Sequence, residues 1–144
     1  YDPEVGAKDA FFKYDDTMKE ARRALASYVE NTTNPSAEEI TKRLLALRQD
    51  ERRAWDQIAR TYRGMVAIGM DESEAYAKLK EAGVPKEVLR QIENEEFRSR
   101  VVSEQSLKNA AKLQIGKAKT QADKEKLEEK WNTAMEILSE LEID

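Results

Sequence analysis

Apolar residues along this chain recur every three or four positions, in long stretches separated by short polar or Gly/Pro-containing breaks. That spacing is the signature of amphipathic helices, because residues three and four apart share one helix face. The first stretch predicts a helix from about Pro3 to Glu30. Asp2 caps it, and Phe11, Tyr14, Met18, Ala21, Leu25 and Tyr28 form its stripe. Lys13, Asp16, Lys19, Arg23 and Ser27 fall on the opposite face. A loop at 31–36 follows. Ser36 with Glu39 is a capping box that opens a second helix, from about Ala37 to Ile68. Its stripe is Ile40, Leu44, Leu47, Trp55, Ile58, Tyr62 and Met65, interrupted where Glu51 falls on the core side.

Beyond Gly69, which reads as a helix stop, Asp71 and Glu74 suggest a second capping box for a short helix over 72–82. Gly83 closes it, and Val84-Pro85 starts another with Val88 and Ile92 on its apolar face. The acidic run at 93–96 breaks or bends that helix. Phe97, Val101, Val102, Leu107, Ala111 and Ile115 are then expected to resume one stripe, weakened at Gly116. The last helix is capped by Thr120 and Asp123 and carries Leu127, Trp131, Ala134, Leu138 and Leu141 at alternating spacings of four and three. No sustained period-two alternation predicts a strand. The expected fold is therefore all-α, a single helical domain of about five helices. A long antiparallel helical hairpin occupies 1–69; a helical corner and a C-terminal amphipathic helix occupy 70–144. At ~1.5 Å per residue, a helix of about 30 residues is ~45 Å long, the length of a bundle or coiled-coil element.

Composition narrows the chemistry. Charged residues make up 38% of the chain, against roughly 25% in an ordinary globular domain, as in long solvated helices. The net charge of −4 gives no overall basic footprint. With no His and no Cys, triads built on imidazole, thiol nucleophiles and imidazole metal ligation are excluded. A di-iron bundle, which needs Glu-x-x-His pairs, is excluded with them. The expectation is a non-enzyme with no metal and no cofactor. No apolar run approaches the ~20 residues that span a bilayer, so no membrane span is expected. Opening on Tyr1 rather than Met fits a piece of a longer polypeptide, and an intracellular or virion location is expected.

Four stretches remain as candidate binding surfaces. The 70–92 corner has the outline of a helix-turn-helix and offers Lys86 and Arg90, yet Glu87, Glu93, Glu95 and Glu96 would repel phosphates. A packed corner is the favoured reading. Residues 106–122 hold Lys108, Lys112, Lys117 and Lys119 and no acid. They offer a nucleic-acid or acidic-partner surface against the plainer reading of a solvated face. Gly116-Lys117 is not a phosphate loop, because Ala118 stands where Ser or Thr is required. Arg52, Arg53, Arg60 and Arg63 lie beside Trp55 and Tyr62 on the second helix; a partner-binding spot, with Arg60 and Arg63 as its candidates, is set against the favoured reading of an inter-helix Arg–carboxylate network. Trp131, Leu138 and Leu141 form a stripe that either this chain or a partner must cover. Asn31-Thr32-Thr33 is a formal glycosylation sequon.

Gly69, Ser73, Ala75, Gly83 and Pro85 punctuate a phrase that sits between long helices, after the aromatic "FFKYDDTMKEARRAL". Over roughly residues 10–95 this order resembles helical segments of the large multi-domain proteins of phages and mobile elements. Some of those are packaged in the virion and ejected with the genome. The resemblance implies a structural or interaction segment and carries no catalytic or binding residue with it. The function expected is a non-catalytic helical module in a larger assembly, with a protein partner or self-association. A nucleic-acid-binding helical domain is the alternative.

Overall fold

In a computed structural model the chain is all-helical. The structure describes residues 2–32 and 36–140, together with the helical backbone of Leu141. Among these are six helices and no strand: α1 (Pro3–Asn31), α2 (Ala37–Ala67), α3 (Glu72–Ala82), α4 (Lys86–Glu93), α5 (Glu104–Lys117) and α6 (Gln121–Leu141). The sequon, which ends on Thr33, reaches outside the described residues.

The helix starts follow from their caps. Asp2 accepts from the Glu4 N–H at 3.0 Å, Ser36 from Glu39 at 3.1 Å and Thr120 from Asp123 at 3.1 Å. Each satisfies one of the N–H groups that a helix start leaves without an intrahelical partner. Asp71 occupies the cap position of α3, but its side chain makes no capping bond, so the second capping box is not formed. Glu72 and Glu74 in the first turn still favour that end through the helix dipole.

The sixth helix comes from a break that periodicity alone does not predict. The stripe expected to run on from Phe97 is not helical over 94–103. α4 closes when the Glu96 N–H bonds the Gln91 carbonyl at 2.9 Å, with Glu95 in the left-handed region at φ 54°. Val101 and Val102 are both buried. Adjacent residues on a helix diverge by about 100°, so an irregular backbone lets both face inward. Ser103 then caps α5 by accepting from the Ser106 N–H at 3.2 Å.

The chain forms two compact units, each assembled from two stretches: residues 1–18 with 51–98, and residues 19–50 with 99–144. The first unit buries Tyr14 and Met18 from α1, Trp55, Ile58 and Met65 from α2, and Leu79, Val88, Leu89 and Ile92 from the α3–α4 corner. The second buries Leu25 and Val29 from α1, Ile40 and Leu44 from α2, Leu107 from α5, and Trp131, Ala134 and Leu138 from α6.

The α3–α4 corner is architectural. Gly83 sits at φ 115°, and the Val84 N–H bonds the Leu79 carbonyl at 3.1 Å. A Cβ at Gly83 would lie 2.9 Å from Phe11 Cζ, so the Phe11 ring closes over the turn. Lys78 reaches Glu4 at 3.4 Å, a second tie from α3 to α1.

Two substitutions at helix ends should move stability in opposite directions. Gly83→Val should cost at least ~2 kcal/mol, because it combines a left-handed β-branched residue with a clash against Phe11. Glu95→Gly should gain up to about 1 kcal/mol by relieving the left-handed backbone of an ordinary residue. Urea melts of both variants check this. An unchanged midpoint for Gly83→Val would mean the corner relaxes freely.

Candidate functional site

In the second unit a groove runs between the C-terminal half of α1 and α5. It has a volume of about 410 Å³. Its α1 wall is Arg22, Arg23, Ala26, Ser27 and Glu30; its α5 wall includes Ser106, Asn109, Ala110, Leu113 and Lys117. Both walls are spaced at three and four residues, so each is a continuous helix face. Ala26, Ala110 and Leu113 give the groove an apolar floor, and Leu113 is 67% exposed.

The groove shares Glu30, Gln114 and Lys117 with a second recess at the α5–α6 turn, which adds Lys119, Asp123, Lys126 and Lys130. Together they bring six cationic side chains against two carboxylates. Lys130 donates to the Glu30 carbonyl at 3.3 Å. This local excess of positive charge stands on a chain whose net charge is −4.

Gln114 organises the site from below. It is buried, its Nε2 donates to the Ala26 carbonyl of α1, and its Oε1 accepts from Trp131 Nε1 of α6 at 2.8 Å. One amide thus joins three helices and satisfies the indole N–H that the buried Trp131 brings inside.

The structure sorts the candidates read from sequence. Lys117 and Lys119 line the recess. Lys108 and Lys112 are exposed but stand off the groove-lining stripe. At about 100° per residue they fall on roughly the opposite face of α5, and Lys108 pairs with Glu104 at 3.0 Å. Lys86 and Arg90 are exposed on α4 and belong to the first unit, whereas the four lysines belong to the second. Trp131 and Leu138, candidates for partner binding, are 1% and 2% exposed: of the two coverings the stripe left open, this chain supplies one itself. The side chain of Leu141 lies outside the described residues.

Arg60 and Arg63 are exposed on α2 in the first unit. Arg60 shares a shallow cleft with Gln57, Thr61, Gly64 and Ile68. The arginine that meets aromatic rings there is Arg52. Its guanidinium lies 5.0 Å from the Trp55 ring and 4.9 Å from the Phe97 ring, and it pairs with Asp56 at 3.3 Å. In the second unit Arg43 lies 4.2 Å over Tyr28. The Arg43 contact joins α2 to α1, and the Arg52 contacts join α2 to the irregular segment at Phe97.

The first unit also holds Tyr62, whose phenol is pushed above its ordinary value of 10.0 by burial, then by the charges of Glu72, Glu93 and Asp71. A raised phenol pKa keeps the hydroxyl protonated through neutral pH. Its contribution to stability is present below 10 and is lost as pH rises through the folded value.

Arg22, Lys126, Lys130, Leu113 and Gln114 were not legible as site residues. Their nearest signal is Leu113, a large apolar residue off the Leu107–Ala111–Ile115 stripe. Comparison with protein-family models, curated proteins and solved structures finds no match for this chain. Among the described residues no helix is long and apolar enough to cross a membrane.

Gln114→Leu should destabilise the protein by about 1–3 kcal/mol, because it leaves the Trp131 N–H buried without an acceptor. Adding Trp131→Phe should cost less in that background than in the parent. A double-mutant cycle in urea measures this coupling, and purely additive effects would show that the bond contributes nothing.

Proposed function

We propose that this chain is a non-catalytic helical interaction module of a larger assembly. The observation that carries the reading is the open groove between α1 and α5. Its floor is apolar, its walls are two regular helix faces, and Leu113 lies exposed within it. Exposed apolar surface bounded by polar residues is where partners dock. The resemblance of residues 10–95 to segments of phage and mobile-element proteins agrees with such a role and suggests a virion-internal or ejected protein as its setting.

A second reading, nucleic-acid binding, is favoured by the lysines at the α5–α6 turn. Lys117, Lys119, Lys126 and Lys130 surround one recess, and clustered ammonium groups bind phosphates by releasing counterions.

A photo-reactive residue at position 113, in place of Leu113, should give a discrete protein adduct in an extract of the native source. The same group at exposed Leu45, which is outside the groove, should not. Equal labelling at both positions, or none at 113, would reject the module reading. Titration with duplex DNA at two salt concentrations tests the second reading: a steep salt slope, lost when Lys119 and Lys126 are replaced by Glu, would put it first.

A further inference from the structure

We infer that the occupant of the α1–α5 groove is an acidic amphipathic helix of a partner protein. This rests on the interaction-module reading and adds the chemistry of the partner.

Three features of the groove act together. The floor of Ala26, Ala110 and Leu113 offers contact to apolar groups only. Leu113 is 67% exposed, while Leu107 on the same helix is 1% exposed. A large apolar side chain left in water in the middle of a groove gains by being covered. On the rim, Arg22, Arg23 and Lys117 make no ion pair among the described residues, and Glu30 is the one carboxylate that lines the groove with them. Guanidinium groups match carboxylates in planar two-bond geometry, so side chains of Asp or Glu complement this rim. The third feature is length. The lining residues span 22–30 on α1 and 106–117 on α5, about 12–17 Å at the helical rise, or two to three turns. That suits a helix anchored by apolar residues at i, i+3 or i+4, and i+7.

The same features weigh against a nucleic-acid strand in this groove. No aromatic side chain lines it, and single-strand binding sites draw much of their energy from bases stacked on aromatic rings. Phosphates would engage the rim and leave the floor uncovered.

The test uses the whole chain and a labelled helical peptide with leucine at i, i+3 and i+7 and glutamate along both flanks. Three further probes accompany it: the same peptide with lysine for glutamate, the same with serine for leucine, and single-stranded oligothymidylate. The acidic leucine peptide should bind, and the other two peptides should not. Leu113→Ser and Arg23→Glu should each weaken it by about tenfold, the loss of one good interface contact. Both positions are exposed, and an unchanged melting curve would verify that each variant is folded. Arg22→Glu together with Arg23→Glu should switch preference to the lysine peptide. Binding of the acidic peptide that is indifferent to both single variants overturns the inference. So does oligothymidylate that displaces the acidic peptide and binds more tightly than it. Failure of every peptide alongside a discrete adduct at position 113 rejects this partner class but keeps the interaction module. Failure of both rejects the module as well.

Discussion

The side-chain amide of Gln114 is the interaction on which the second unit depends. A buried indole N–H must be given an acceptor, and Trp131 is 1% exposed. Gln114 supplies that acceptor at 2.8 Å and spends its own N–H on the Ala26 carbonyl. An amide suits the place because it carries donor and acceptor on one rigid plane; a carboxylate would lack the donor, and an ammonium the acceptor. The bond pattern also fixes which faces α1 and α5 turn outward. With Gln114 pointing inward, Ala110, Leu113 and Lys117 line the groove. The interior constraint and the exterior surface are two sides of one helix.

Charge is distributed to match this arrangement. Among the described residues, exposed ion pairs recur within single helices at i,i+4, such as Lys13–Asp9, Lys42–Glu38 and Lys108–Glu104. Pairs of that kind contribute a few tenths of a kcal/mol at most. Their effect is to neutralise helix surfaces locally. The cations left around the groove and the α5–α6 turn stand out for that reason, on a chain that is acidic overall.

The all-α class and most helix ends were legible in the sequence, because they depend on local rules. Ser36, Thr120, Gly69 and Gly83 act within four residues of where they stand, through hydrogen bonds to nearby backbone. The failures were of two kinds. Phe97, Val101, Val102 and Leu107 were read as one helical stripe, yet the left-handed Glu95 ends α4 and the backbone through Val101 and Val102 is irregular. Periodicity records which residues are apolar and is silent on the backbone between them. The groove was missed because its walls lie more than 75 residues apart in the chain. Arg22 and Lys117 become neighbours of one recess only through tertiary packing. Trp131 illustrates the converse: its place on an apolar face with Ala134 and Leu138 was legible, but whether this chain or another covers that face is a tertiary fact.

The way the two units share the chain has a consequence for folding. Residues 19–50 are inserted in the first unit, and residues 51–98 separate the two parts of the second. α1 and α2 each cross from one unit to the other without a helix break. No single cleavage can therefore release either unit intact, and no contiguous segment of sequence encodes one. Each unit must close a long loop before its core repays the entropy. Such a chain depends on sequence-distant contacts to close each core. It is expected to fold more slowly than a simple up-and-down bundle of its length.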